Sequence, residues 1–226
     1  MPRFAAHWAQ MAFGTEVLYS FIIIACSLII YFSTKEMEEL SSYKGIKYFR
    51  KAFLFFALAY FFRTLIKFIL SFFSVPRILD YSPKLLGPLS LFLFMYFSAL
   101  AIFYLLYSVM WKKLDTNGKG IYFFHLLAII IAIVSILSRN PLIYLGIQLF
   151  LFIFIFAIVL ISYKTSRGKN NNIYKIYLLL FIFWILNILD ILVPNFLQTF
   201  QMLLYIISCG VFLSILYKVV KKTGST

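Results

Sequence analysis

Two basic residues interrupt the apolar segment LAYFFRTLIKFIL, which covers residues 58–70. Arg63 and Lys67 are four residues apart, so a helix would present both on one face. A central Arg or Lys in a membrane helix costs about 2.5–3.5 kcal/mol on insertion scales. Such residues therefore face the protein interior, pair with an acid or reach the interface. We interpret the two residues as a candidate site for a ligand or an ion pair.

The polar residues that could complete this site lie in other apolar segments. Each lies toward the end of its segment that is further from the loops with most of the Lys and Arg residues. They are Glu16, Gln148, Asn187, Asp190, Gln198 and Gln201. Asn187 and Asp190 are three residues apart and share a helix face. We predict that at least one of the two cations lies near Glu16 or Asp190, because a buried charge needs a partner of opposite sign.

Two interpretations of this set remain open. In the first, ion pairs and hydrogen bonds only fix the register of the helices, because buried polar groups must be satisfied whatever the function. In the second, the residues line a polar cavity that opens to the outside. Arg63 and Lys67 would then face an anionic group of a bound solute.

Composition indicates the class of protein that carries these residues. Of the 226 residues, 64% are hydrophobic and only 12% are charged, with a mean hydropathy of +0.98. Soluble domains are about 45–50% apolar and about 25% charged, so this chain has too little polar surface to coat a soluble globule. The prediction is an all-α, polytopic membrane protein. The abundant Phe, Ile, Tyr, Lys and Asn are typical of an AT-rich prokaryotic genome.

Seven apolar segments come close to the roughly 20 residues that a helix needs to cross a bilayer. We predict a bundle of seven transmembrane helices, formed as one domain by residues 1–226. Its spans lie at about 10–32, 52–73, 85–111, 120–138, 141–163, 175–193 and 196–218. No connection between them has the size of a separate domain. Any function must therefore reside in the bundle or in its short loops.

The distribution of basic residues predicts the orientation. The segments 33–51, 112–119, 164–175 and 218–226 hold 15 of the 21 Lys and Arg residues, whereas the other side holds four. By the positive-inside rule the amino terminus lies outside and the carboxyl terminus in the cytoplasm, which predicts a multi-pass protein of the cell membrane. We expect the net charge of +14 to attract anionic lipid head groups on the cytoplasmic side and not nucleic acid.

The basic segment 43–51, YKGIKYFRK, alternates apolar and basic residues in a way that suits a helix lying in the membrane interface. Its predicted head-group contacts are Lys44, Lys47, Arg50 and Lys51. A docking surface for a cytoplasmic partner is the alternative use of the same residues. A homo-oligomer or a partner within the membrane also remains open.

A faint internal duplication bears on the topology. A shift of 124 residues aligns 51–63 with 175–187 and pairs Arg63 with Asn187, and a shift of 110 aligns the helices that follow. Chance similarity between apolar helices is the alternative. The 3+1+3 order resembles the parallel repeats of the SWEET sugar transporters, in topology alone. Those carriers have prolines inside paired helices. Here the prolines lie at or beyond predicted helix ends or in a first turn: Pro76, Pro83, Pro88, Pro141 and Pro194.

Several kinds of chemistry lack the residues that they need. The chain has two histidines, and its two cysteines, Cys26 and Cys209, fall inside apolar segments. These histidines and cysteines do not form a ligand cluster for zinc or haem, so we expect no metal and no cofactor. A microbial rhodopsin needs a lysine in the middle of its last helix, but the last span has none before Lys218. No set of nucleophile, base and orienting residue indicates catalysis, so we assign no catalytic residue.

These features favour a small integral membrane transporter or channel-like protein with an outward-facing polar site for an anionic or polar solute. The first alternative is a receptor-like protein or an assembly subunit that signals or docks through its basic cytoplasmic loops. The second is a lipid-modifying membrane enzyme. Transport is favoured because the chain has charges within its spans and no output domain, although no span is clearly broken by Gly or Pro.

Overall fold

The structure of the chain is a computed structural model. It describes residues 2–40, 43–72, 82–114, 120–138, 141–166, 173–192 and 198–223. Within these ranges, some side chains near helix ends, those of Lys67 and Gln198 among them, lie outside the described set. The described chain is helical except at Thr34, Tyr43 and Lys44. The all-α prediction is therefore confirmed for the described residues.

Seven long helices and one short helix make up the described chain. They are α1 (Pro2–Ser33), α2 (Lys35–Leu40), α3 (Gly45–Phe72), α4 (Ser82–Leu114), α5 (Gly120–Ser138), α6 (Pro141–Ser166), α7 (Ile173–Leu192) and α8 (Gln198–Thr223). Five described segments are long and apolar enough to cross a membrane: Gly14–Leu40, Pro88–Lys112, Gly120–Ser138, Leu145–Lys164 and Thr199–Lys221. These segments indicate a membrane protein.

The basic segment 43–51 does not form a helix of its own, and its predicted position in the membrane interface stays a prediction. Gly45 begins α3, which continues without a break to Phe72, and residues 45–51 are its first two turns. The residues that follow Gly45 include no further Gly and no Pro, and Lys, Arg and Ala are strong helix formers. The short separate helix is instead α2, whose sequence KEMEEL also consists of strong helix formers.

Two prolines lie at different positions in the long helices, one at a helix start and one inside a helix. Pro141 is the first residue of α6, where its fixed φ and missing N–H suit the first turn. Pro88 lies inside α4, six residues after Ser82, so the prediction that it belongs to a first turn is wrong. A proline at this position removes one hydrogen bond of the helix and favours a bend.

The long helices pack in a closed circle. Each packs against the next in the order α1, α3, α4, α6, α7, α8, and α8 returns to α1. The remaining long helix, α5, packs against α4 and α6. Aromatic side chains fill the interior, among them the fully buried Phe53 of α3, Phe183 of α7 and Phe212 of α8. Because α3, α7 and α8 meet through these rings, polar residues further along the same helices are also brought together.

Candidate functional site

Arg63 of α3 contacts acidic side chains from two other helices. Its Nη2 lies 3.1 Å from Oδ2 of Asp190 in α7 and 3.3 Å from Oε1 of Glu16 in α1. All three side chains are largely buried, with 19% of Arg63, 12% of Asp190 and 10% of Glu16 exposed. The prediction that a cation of this helix lies near Glu16 or Asp190 is confirmed, and Arg63 pairs with both.

Tyrosine rings surround the guanidinium group. Cζ of Arg63 lies 5.7 Å from the ring centroid of Tyr60 and 5.9 Å from that of Tyr19. Tyr19 in turn stacks on Tyr205 of α8, with ring centroids 4.8 Å apart and an interplanar angle of 18°. A cation over an aromatic face gains about 0.5–1 kcal/mol at exposed sites and about 2 kcal/mol or more when desolvated. The rings therefore help to hold the buried charge.

A chain of hydrogen bonds joins these tyrosines to α7. The hydroxyl oxygens of Tyr19 and Tyr60 are 3.0 Å apart, and the Tyr60 hydroxyl donates to Oδ1 of Asn187 at 2.9 Å. Nδ2 of Asn187 donates to the carbonyl of Phe183 at 2.9 Å. Ion pairs and hydrogen bonds thus connect α1, α3 and α7. We call the connected set the Arg63 cluster: Glu16, Tyr19, Tyr60, Arg63, Asn187, Asp190 and Tyr205.

Helical spacing explains how three helices each contribute two residues to the cluster. The two residues are three positions apart in every case, so each pair shares one helix face. The pairs are Glu16 with Tyr19, Tyr60 with Arg63, and Asn187 with Asp190. Tyr19, Tyr60 and Tyr205 are not among the site residues predicted from the sequence. For the first two, the spacing of three from a charged residue is the signal that could have found them.

One oxygen of Asp190 remains unused. Oδ2 contacts Arg63, whereas Oδ1 is buried and has no hydrogen-bond partner among the described residues. Tyr205 lies close to this carboxylate. A buried acceptor without a partner costs about 1–3 kcal/mol, and the adjacent Tyr205 hydroxyl is a described group that can donate to it.

The other predicted site residues do not all join the cluster. Gln148 of α6 is buried, and its Nε2 lies 3.9 Å from Sδ of Met95 in α4, which is a weak hydrogen bond. Gln201 of α8 is half-buried, and no hydrogen bond joins it to a described member of the cluster. The side chains of Lys67 and Gln198 lie outside the described residues, so their predicted roles stay predictions.

The basic residues predicted to contact head groups differ from one another. Three of them are exposed: Lys44, Lys47 and Lys51. Arg50 is instead held within the protein. Its Nη1 lies 2.7 Å from Oε2 of Glu38, its Nε donates to the carbonyl of Tyr31 at 2.9 Å, and its Cζ lies 4.2 Å from the Tyr31 ring centroid. These contacts join the start of α3 to α1 and α2, and the predicted head-group contact of Arg50 stays a prediction.

A second polar contact between helices was not predicted. His125 of α5 lies between two tyrosines of α4, with Nδ1 2.8 Å from the Tyr96 hydroxyl and Nε2 3.0 Å from that of Tyr104. Both ring nitrogens therefore have protein partners. Cys26 and Cys209 are free thiols. Among the described residues, no three His, Cys, Asp or Glu side chains form a group that could hold a metal ion.

The Arg63 cluster can do two things chemically. Removing one member of a buried ion pair leaves the other charge uncompensated, at a cost of about 3–5 kcal/mol, so the cluster resists separation of α1, α3 and α7. A solute that offers matching charged groups could replace one of the pairs, because a guanidinium group and a carboxylate each bind such groups directly. The geometry therefore suits helix association, and the charged groups are of kinds that can bind a charged solute.

Comparison with known proteins identifies a relative of this chain. No family model matches the chain, and no solved structure matches it. It is 34% identical over 217 residues to a protein of Archaeoglobus fulgidus that is described as uncharacterized, with 92% of each chain covered. The chain belongs to the family of this archaeal protein. The name of this relative states no activity, so the function of the family has to be argued from the structure.

Proposed function

We propose that the protein is a small multi-pass transporter or channel-like protein of the cell membrane, and that the Arg63 cluster is its site for a polar or anionic solute. The observation that carries the proposal is the pairing of Arg63 with two acids from different helices inside the bundle. Ionisable residues within membrane segments are costly, and where they occur they often mark the pathways of ions or substrates.

The proposal requires all seven long helices to cross the membrane with the amino terminus outside. Lys47 and Lys51 near the start of α3 would then lie at the cytoplasmic face. Arg63 follows Lys51 by 12 residues, which is about 18 Å along a helix, so it would lie in the outer half of the bilayer. The cluster would thus lie nearer the outer face than the cytoplasmic face.

Cysteine labelling tests this orientation. A single cysteine at Asn172 should react with an impermeant reagent only from the cytoplasmic side, and one at Tyr81 only from outside. Asn172 falls between Ser166 and Ile173 in the sequence and Tyr81 between Phe72 and Ser82, and neither is a residue of the cluster. Labelling with the opposite pattern would overturn the orientation and the depth assigned to Arg63.

The neighbour relations of the helices support the 3+1+3 repeat. Exchanging α1, α3 and α4 for α6, α7 and α8 leaves the order of the closed circle unchanged, and α5 stands between the two halves in the chain. The cluster takes residues from α1 and α3 of one half and from α7 and α8 of the other. Transporters built from repeats bind their substrates where the repeats meet, so the position of the cluster favours transport.

Solute flux in proteoliposomes tests the function. Arg63→Met should abolish flux of a small polar solute that the wild-type protein carries. Arg50→Met is the matched control, because it removes another paired arginine of α3 outside the cluster and should keep the flux. Should Arg63→Met fail to fold, the variant that adds Glu16→Gln and Asp190→Asn neutralises the cluster without leaving an unpaired charge. Flux that survives in every Arg63 variant would contradict the proposal.

The receptor-like protein or assembly subunit remains the second candidate. The observation in its favour is the exposure of Lys44, Lys47 and Lys51 beside the start of α3. A stable partner that copurifies with the wild-type protein, and is lost when these three lysines become glutamines, would favour this candidate. The lipid-modifying enzyme has no comparable observation among the described residues.

A further inference from the structure

His125 connects α5 to the closed circle of helices. Its Nδ1 lies 2.8 Å from the Tyr96 hydroxyl and its Nε2 lies 3.0 Å from the Tyr104 hydroxyl, and both tyrosines belong to α4. The two tyrosines are eight residues apart, so the imidazole ring bridges about two turns of α4. Neither hydroxyl has a hydrogen bond to another described residue. Within the described chain, both hydroxyl groups therefore depend on His125 for a partner.

This position suits a neutral imidazole ring, because one ring nitrogen then donates and the other accepts. One tyrosine hydroxyl can donate to the ring while the other accepts from it. A protonated ring donates from both nitrogens and accepts at neither. The tyrosine that had donated would lose its acceptor, and no other described residue replaces it. Protonation of His125 therefore costs free energy in the folded protein.

The charges around His125 add to this cost. Lys51 of α3 lies close enough to repel a charged imidazole ring. The helices α4, α5 and α6 contain no Asp or Glu that could compensate the charge. Lys164 of α6 is exposed and also basic, and Tyr48 of α3, which packs against Tyr104, carries no charge near neutral pH. The surroundings therefore favour the neutral form of His125.

Helix α5 can respond to a charge on His125 without opening the bundle. It packs against α4 and, less extensively, against α6. Because α4 and α6 also pack directly against each other, the closed circle does not need α5. Besides His125, the attachment of α5 rests on one buried face, formed by Phe124, Ala128, Ile131, Ala132 and Ser135. A weaker contact at His125 would thus loosen one helix and leave the others packed.

We propose that His125 is a pH-sensitive contact, which holds α5 against α4 while its ring is neutral and loosens α5 when the ring takes up a proton. The direction follows from linkage. A solvated histidine has a pKa of about 6.5, so the state in which α5 has separated binds the proton more readily than the packed state does. The attachment should be complete above about pH 7 and should weaken as the pH falls below about 6.5. This inference does not depend on the transport proposal, since it concerns helix packing without a solute.

The test compares thermal unfolding of the purified full chain at about pH 7.5 and about pH 5, on either side of the ordinary pKa of histidine. Uncharged detergent avoids anionic head groups that could compensate the charge. The variant is His125→Gln, because glutamine keeps one donor and one acceptor for the tyrosines but does not titrate. The matched control is His7→Gln, which removes the other histidine of the sequence. Between the two pH values, the Tm of the wild type and of His7→Gln should fall by roughly 3–6 °C more than that of His125→Gln.

Hydrogen exchange of backbone amides locates the effect. At about pH 5 the amides of α5 should exchange faster in the wild type than in His125→Gln, whereas those of α3 and α7 should exchange alike in both proteins. Should neither His125→Gln nor His125→Asn fold, the wild type alone still decides, because its acid-induced loss of protection should be largest in α5. An equal fall in Tm for the wild type and His125→Gln, or a loss of protection spread evenly over all helices, overturns the proposal.

Discussion

Helix α3 carries two arginines that each pair with acid and tyrosine residues in different surroundings. Arg50 contacts Glu38 and Tyr31, which precede it in the chain by 12 and 19 residues. Arg63, 13 residues later and about 20 Å further along the helix, contacts Glu16 and Asp190 from two distant helices. The first arginine joins the start of α3 to the two helices that precede it in the chain. The second joins α3 to helices near the two ends of the sequence.

Burial does not distinguish the two arginines. The side chain of Arg50 is 15% exposed and that of Arg63 is 19% exposed. The difference lies in their donors: Arg50 uses both Nε and Nη1 within the protein, whereas Arg63 uses neither toward the described residues. The two arginines therefore differ in the groups that they contact and not in how deeply they are buried.

The largest expected effect is on stability when each arginine is replaced by methionine. Arg63→Met leaves two buried carboxylates without a cation and should lower the free energy of unfolding by about 3–5 kcal/mol. Arg50→Met leaves only Glu38, which is closer to solvent, and should cost about 1–2 kcal/mol. Unfolding in detergent measures both. Equal losses would show that the two pairs are equivalent.

A control links the first effect to charge. Adding Glu16→Gln and Asp190→Asn to Arg63→Met should restore most of the lost stability, because replacing a whole buried ion pair by neutral groups is often nearly neutral. If the triple variant is no more stable than Arg63→Met, the loss comes from packing and not from unpaired charge.

The pairing of Arg63 could be predicted from the sequence because charges within apolar segments are few. Glu16 and Asp190 were the two acids available, so the choice of partner was small. Gln148 was assigned to the same site by depth alone and lies beside Met95 instead, because depth does not define which helices are neighbours. The tyrosines were missed because a chain with 16 of them offers many equivalent candidates.

The helix ends were harder to predict than the helix centres. Apolar length indicates where a helix can cross lipid, and α5 has the predicted bounds of 120–138. It does not indicate where a helix begins outside the lipid, since Lys and Arg form helices as readily as Leu. For this reason α3 begins at Gly45, well before the predicted 52, and α2 was not predicted.

The second prediction concerns packing at the Arg50 end of α3. A Cβ added at Gly45 would lie 2.5 Å from the backbone oxygen of Ser108 in α4. A backbone atom cannot move aside as a side chain can, so Gly45→Ala should cost about 1–3 kcal/mol. At Gly146 and Gly210 an added Cβ meets nothing within 4 Å. Alanine at these two control positions should instead be neutral or stabilise by up to about 1 kcal/mol.

The third prediction concerns the acid partner of Arg50. Glu38→Gln keeps the shape but weakens a charge-assisted contact of 2.7 Å whose acid is 26% exposed, so we expect a loss of about 1–2 kcal/mol. The control is Lys35→Met in the same short helix, which removes the exposed pair with Glu39 at 3.7 Å and should have little effect. Thermal unfolding of both variants provides the comparison, and a larger loss from Lys35→Met would contradict it.

The smallest expected effect is the difference in stability between removing the hydroxyl of Tyr60, beside Arg63, and removing that of Tyr31, beside Arg50. The Tyr60 hydroxyl contacts the Tyr19 hydroxyl and donates to Asn187, whereas the Tyr31 hydroxyl makes no hydrogen bond to a described residue. Tyr60→Phe should therefore cost about 1 kcal/mol in unfolding free energy, since Oδ1 of Asn187 loses its donor. Tyr31→Phe keeps the ring beneath Arg50 and should change stability by less than about 0.5 kcal/mol. Equal effects of the two variants would show that the hydrogen-bonded chain between α3 and α7 adds nothing to the Arg63 cluster beyond the contacts of the rings.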